Sequence, residues 1–142
     1  MSTLHGGCHC GCIKVAFETA VAPEALSLRT CQCTFCRKHG ARNASDPGGR
    51  LRITVRDADG VLTYRFGLGV TDFLVCRKCG VYVVATMASE SGVIGTINVN
   101  VLDDQDSLPR TAQPMVFDSE NAADRTARRL RVWTPVTVSV KP

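Results

Sequence analysis

Apolar and polar positions alternate with period two along much of the chain. Ile13, Val15 and Phe17 alternate with Lys14, Ala16 and Glu18, and Leu51, Ile53 and Val55 alternate with Arg52, Thr54 and Arg56. On a strand this spacing sends one set of side chains to a core and the other to solvent. The stretches 93–101 and 136–140 read the same way, and 61–66, 73–76 and 81–87 are further β-rich runs. Turn signals separate them at Pro47-Gly48-Gly49, Asp57-Ala58-Asp59-Gly60 and Gly67-Leu68-Gly69. The pattern predicts an all-β chain of about seven to nine short strands.

One segment near the C-terminus has helical spacing. Ala123, Ala127 and Leu130 lie at i, i+4 and i+7, with Asp118 or Ser119 as the N-cap and Glu120 and Asp124 in the opening turns. Arg128 and Arg129 complement the dipole at its end, and the run Arg125, Arg128, Arg129 and Arg131 reads as a solvated face. The longest polar, irregular stretch is 40–50, a candidate loop over a metal site because it begins four residues after a cysteine cluster.

The chain has 142 residues and 44% hydrophobic content, which fits a single domain, 1–142, of ordinary globular composition. Its first residues show no basic and apolar leader pattern, and no apolar run approaches the ~20 residues of a membrane-spanning helix. A cytoplasmic setting is the expectation, and there thiols stay reduced. The net charge of +4 comes mostly from scattered arginines, and aromatics are only 6%. A nucleic-acid surface would show a denser basic face with interleaved aromatics, so that partner is disfavoured.

Eight cysteines change the picture. They fall in three clusters: Cys8, Cys10 and Cys12; Cys31, Cys33 and Cys36; Cys76 and Cys79. Reduced thiols that converge from short pieces of backbone point to metal. Cys8-His9-Cys10 on extended backbone places two sulfurs on one side. Cys76-Arg77-Lys78-Cys79-Gly80 is a C-x-x-C knuckle followed by a glycine suited to its turn, and Gly11 follows Cys10 likewise. Together Cys8, Cys10, Cys76 and Cys79 make a closed four-sulfur set, a structural zinc site that staples distant strands. Cys31-Gln32-Cys33-Thr34-Phe35-Cys36 supplies three more thiolates, the ligand count of a catalytic zinc with an open position. Closure by Cys12, His9 or His39 would instead make a second structural site. Tetrahedral sulfur sites accept iron as well as zinc. Cys12 reads as a small buried residue, and His39 as a surface or capping histidine.

Gly7-Cys8-His9-Cys10-Gly11, the run Cys31 to Gly40 and Phe73-Leu74-Val75-Cys76-Arg77-Lys78-Cys79-Gly80 resemble the glutathione-dependent formaldehyde-activating enzyme family, whose domain is shared with centromere protein V. The resemblance covers about residues 4–100. It implies a β-tent, two packed antiparallel sheets holding two zincs: a structural one at Cys8, Cys10, Cys76 and Cys79, and a catalytic one at Cys31, Cys33 and Cys36. It implies condensation of formaldehyde with glutathione, a carbon–sulfur lyase reaction in reverse. Its partners would be a small thiol and a small aldehyde. Arg37, Lys38 and Arg42 offer positive charge for glutathione carboxylates, with solvated surface as the other reading. Two rivals stand beside this: a non-catalytic zinc-stabilised binding module for protein or nucleic acid, and a thiol-based redox sensor using Cys12.

Overall fold

The computed structural model describes residues 1–141. In chain order the elements are β1 (Ser2–Gly7), β2 (Ile13–Thr19), β3 (Arg29–Cys31), α1 (Thr34–His39), β4 (Asn43–Ala44), β5 (Arg50–Val55) and β6 (Val61–Tyr64). Then follow β7 (Asp72–Cys76), β8 (Tyr82–Ser89), β9 (Gly92–Asn98), β10 (Gln113–Met115), α2 (Ala122–Val132) and β11 (Thr134–Val140). The fold is mostly strand, as the alternation predicts.

Two groups of strands share β11. In the first, the order is β1-β2-β5-β11; in the second, β11-β9-β4-β3-β10, with β8, β7 and β6 continuing from the other side of β9. The strand changes partner along its length: Thr134 and Pro135 pair with β9, and Val136 to Val140 pair with β5. Most pairings are antiparallel, but β5–β11 and β3–β10 are parallel, so the sheet is mixed.

Alternation is realised directly in β2, where Ile13, Val15 and Phe17 are buried and Lys14 is exposed. Leu51, Ile53 and Val55 of β5 face the same core. β8 breaks the alternation: Tyr82 through Met87 are all buried, because both faces of this strand are covered. A second apolar cluster gathers Cys36, Phe73, Tyr82, Met87 and Trp133 at the other end of the sheet, beside the cysteine-rich helix α1.

The arginine-rich helix forms over the predicted alanine and leucine positions, but it begins after Asp118, Ser119 and Glu120 rather than being capped by one of the first two, and it turns the opposite face inward. Asn121 is the N-cap, its Oδ1 accepting from the Asp124 N–H at 2.8 Å. Ala123, Ala127 and Leu130 face solvent, whereas Arg129 is buried and Arg125 and Arg128 are half-buried. The solvated-face reading of these three arginines is thereby overturned, and only Arg131 is exposed. The reason is what α2 covers. It lies over the cavity rather than the main apolar core, and its arginines supply part of the cavity's wall. The stretch 40–50 is not one loop either: it contains β4, paired with β3 and β9.

Candidate functional site

The first sulfur cluster forms where two tight turns meet. After β1 the chain reverses at Cys8–Ile13, where the Cys8 N–H donates to the Ile13 carbonyl at 2.9 Å. The pair Cys8 and Cys10 therefore sits on a hairpin tip rather than on extended backbone. Opposite it, the Cys76 N–H donates to the Val81 carbonyl and the Gly80 N–H to the Cys76 carbonyl, both at 2.9 Å. Gly11 and Gly80 hold φ of +83° and +81°, conformations that side chains disfavour. The sulfurs of Cys8 and Cys10 lie 3.8 Å apart, and those of Cys10 and Cys76 3.6 Å. Zinc–sulfur bonds of about 2.3 Å in a tetrahedron require sulfurs about 3.8 Å apart. Cys8, Cys10, Cys76 and Cys79 fit that ion, and could hold it as a closed set. Backbone amides support the charge on sulfur: Ile13 donates to Cys8 Sγ at 3.2 Å and Cys79 to Cys76 Sγ at 3.5 Å.

The second cluster comes from β3 and α1. Cys31 ends β3, Cys33 is the N-cap of α1, and Cys36 lies in its first turn. The Cys36 N–H donates to Cys33 Sγ at 3.4 Å, and Gly40 closes the helix with φ of +60°. All three ligand atoms lie within 4.8 Å of one another. The Cys31 and Cys36 thiols donate to Cys33 and hold it near the bottom of the scale, at about 2, while contact with the other two sulfurs pushes Cys36 far up. Three sulfurs so close cannot all ionise without a cation between them. That donor set fits a divalent metal with thiophilic character. Among the described residues no fourth Cys, His, Asp or Glu atom joins this group. His39 instead packs on Phe35 with the rings tilted and their centres 4.5 Å apart, and Cys12 is buried in the core with its Sγ against Gly60.

The open side of the three sulfurs faces a cavity of about 450 Å³. Ligand sites typically span about 300–1,000 Å³. Its walls are Phe66, Phe73, Tyr82 and Trp133, and its polar lining includes Asn43, Arg29, Arg125, Arg128 and Arg129. The loop 66–71 forms one rim and α2 another. Four buried atoms here lack a hydrogen-bond partner: Asn43 Oδ1, Tyr82 OH, Arg125 Nε and Arg129 Nε. An orphaned buried polar group costs about 1–3 kcal/mol. All four belong to residues that line this cavity. Burial, and then the nearby sulfurs, push the Tyr82 phenol well above its ordinary value, so it keeps its proton.

Arg37 and Lys38 are exposed on α1 and do not line this cavity. Arg42 is also absent from its wall; the guanidinium donates to Asn100 Oδ1 at 2.7 Å and Gln105 Oε1 at 2.6 Å. The cavity's basic residues are Arg29 and the three of α2, which sequence reasoning missed. Asn43 and Tyr82 were missed as well. The one available signal was proximity in sequence: Arg29 stands two residues before Cys31, and Tyr82 two after Gly80.

Two mixed strand groups, a four-sulfur cluster and a three-sulfur cluster facing a cavity define a small protein with two cysteine sites that could hold metal. A family model for glutathione-dependent formaldehyde-activating enzymes matches residues 3–118, and the chain belongs to that family. The match runs further toward the C-terminus than the cysteine motifs alone indicate. Among solved structures, a Rhodobacter sphaeroides protein, a structural-genomics target, is similar at 26% identity and a TM-score of 0.52. The alignment covers 94% of this chain and 100% of that one. No helix among the described residues is long and apolar enough to cross a membrane.

Proposed function

We propose that the chain is a zinc-dependent enzyme of carbon–sulfur lyase type, acting on the adduct of glutathione, or a similar thiol, with formaldehyde or another small aldehyde. The observation that carries this reading is the three-sulfur cluster opening onto a cavity with no fourth protein ligand among the described residues. A zinc ion there would hold a substrate thiol as thiolate, since coordination removes its proton. Cys31, Cys33 and Cys36 would be its ligands, and Cys8, Cys10, Cys76 and Cys79 would hold a second, structural zinc.

The remaining work falls to the chain's own groups. Phe66, Phe73 and Trp133 give the cavity apolar walls, beside which polar contacts are strengthened. The Tyr82 hydroxyl, protonated and without a partner, is the donor for the aldehyde oxygen as that oxygen gains charge during carbon–sulfur bond formation. In the reverse direction the same hydroxyl holds the hydroxyl oxygen of the adduct. Arg37 and Lys38 act at longer range, raising the local concentration of an anionic substrate. A non-catalytic module would have no use for an open ligand position or for unpartnered groups around it.

X-ray absorption at the zinc edge during a glutathione titration tests this. The second site's sulfur count should rise from three to four. Affinity should grow with pH below the free thiol value of ~8.5, because binding expels the thiol proton. Unchanged coordination with glutathione, cysteine and a simple thiol would overturn the enzyme reading.

A further inference from the structure

Three α2 arginines line the cavity, and they differ in how far their charge is met: Arg128 and Arg125 both face Glu120, with Arg125 Nη2 also donating to the Phe117 carbonyl at 3.4 Å, whereas Arg129 faces no carboxylate. Arg128 forms a two-point pair with Glu120, at 2.8 and 3.0 Å, and its guanidinium lies 3.6 Å over the Phe117 ring. Glu120 is thereby occupied, and Arg125 reaches it only at 3.7 Å, outside hydrogen-bond distance. Arg129 has no carboxylate partner among the described residues. Its Nη1 donates to Thr71 Oγ1 at 2.6 Å and touches Met87 Sδ at 3.6 Å, and the guanidinium lies 4.3 Å over Trp133. These neutral contacts fix the plane of a buried cation without neutralising it. Its Nε is buried and has no hydrogen-bond partner, and the Arg125 Nε has none beyond the longer ion pair with Glu120.

Charge across the cavity points the same way. Four guanidinium groups, Arg29, Arg125, Arg128 and Arg129, share its wall with two carboxylates, Asp118 and Glu120. Three cysteinates around a divalent ion leave one further negative charge. A positive surplus remains, and a buried cation is stable only when something pairs with it. A guanidinium edge offering Nε beside a terminal nitrogen matches a carboxylate, which accepts two parallel hydrogen bonds.

We propose that Arg129, with Arg125 beside it, binds a carboxylate of the thiol substrate, so that the cavity selects anionic thiols over neutral ones. This rests on the thiol-adduct reading above and adds the part of the substrate remote from sulfur. The family match ends at residue 118 and α2 begins at Ala122, so the recognition edge lies outside the matched segment. The sulfur end of the substrate is held by Cys31, Cys33 and Cys36, and the carboxylate end is chosen by α2.

Calorimetric titration of the zinc-loaded protein with glutathione, glutathione diethyl ester and S-methylglutathione tests the assignment. Glutathione should bind roughly ten-fold or more tightly than its diester, the range of a charge-assisted hydrogen bond. Arg129→Gln should erase most of that gap while leaving diester affinity within about two-fold. Arg125→Gln, at the less buried position, should narrow it and carries the test if the Arg129 variant fails to fold. A gap that persists in both folded variants, or in Arg125→Gln when it alone folds, overturns the proposal. So does the absence of a gap in the unaltered protein. S-methylglutathione keeps both carboxylates but has no free thiol. If it binds with the same arginine dependence while no thiol changes zinc coordination, the thiol-adduct reading fails and the carboxylate site stands. If none of the three ligands binds, both fail.

Discussion

Replacing Cys76 with serine tests whether the four-sulfur cluster holds the sheet together. Cys76 is 1% exposed at the end of β7, and its sulfur meets that of Cys10 from 66 residues away along the chain. Structural zinc contributes about 10–16 kcal/mol of binding free energy, or about 3–4 kcal/mol for each of four ligands. The serine oxygen left in a buried site without a partner adds about 1–3 kcal/mol. The sum, about 4–7 kcal/mol, is a large part of the ~5–15 kcal/mol that stabilises a domain. At about 2–4 °C per kcal/mol for a chain of roughly this size, the melting temperature should fall by about 10–25 °C, or the protein should not fold. Cys33→Ser is the comparison. Its cluster closes a segment running only from Cys31 to Cys36, and the loop-closure difference between the two sites alone amounts to about 2 kcal/mol. That variant should lose zinc at one site and all thiol-dependent activity, yet melt well above Cys76→Ser. Differential scanning calorimetry with zinc analysis reads both. A Cys76→Ser protein that keeps its zinc and melts within about 2 °C of the parent would refute the staple.

Tyr82→Phe removes the unpartnered hydroxyl but keeps the ring packed on Phe35 at 5.1 Å. We expect kcat to fall by about 10²–10³ with little change in thiol affinity or stability; an unchanged kcat would remove Tyr82 from the reaction. Arg128 holds Glu120 below the ordinary carboxylate value, so the unfolded chain binds more protons there than the folded one. The stability this contributes is present above the ordinary carboxylate value of 4.5 and is lost as pH falls through the lower folded value. Urea midpoints measured between about pH 6 and pH 3 should decline less steeply for Glu120→Gln, and an identical decline would contradict the pairing.

Much of the sulfur chemistry was legible because metal ligation is local. A C-x-x-C turn needs only a few residues and a glycine to close, and Gly80 and Gly11 show the left-handed backbone that their positions imply. The long alternating strands β2 and β5 were equally plain. The strands β3, β4 and β10, two or three residues each, carry no periodicity to detect. Nor does α1, whose six residues depend on Cys33 as cap and Gly40 as stop. The face of α2 was misread for a different reason. Alanine and leucine at helical spacing look like a core stripe, but Leu130 stays 49% exposed because the arginine side of the helix is the one that faces the protein, at the cavity wall. Which side of a helix is buried depends on what it lies against, and spacing within the helix is silent on that.

The two sulfur clusters differ in what surrounds them, and that difference divides the chain's labour. Cys8, Cys10, Cys76 and Cys79 use turns from two distant hairpins, so each ligand is fixed by pairing on either side of it. Nothing in that geometry needs a partner from outside. Cys31, Cys33 and Cys36 come from one short segment, and the space where a fourth ligand would stand opens instead into a chamber whose buried polar atoms are unpaired. Leaving such groups unpaired costs stability, and a fold that needed only a second staple could have closed the set with one more cysteine or histidine. Cys12 and His39 are near enough in sequence to serve, yet one is packed in the core and the other lies tilted against Phe35. On the function proposed above, the orphaned hydroxyl, amide and guanidinium groups around three sulfurs are the protein half of a set of contacts that a polar, anionic thiol completes.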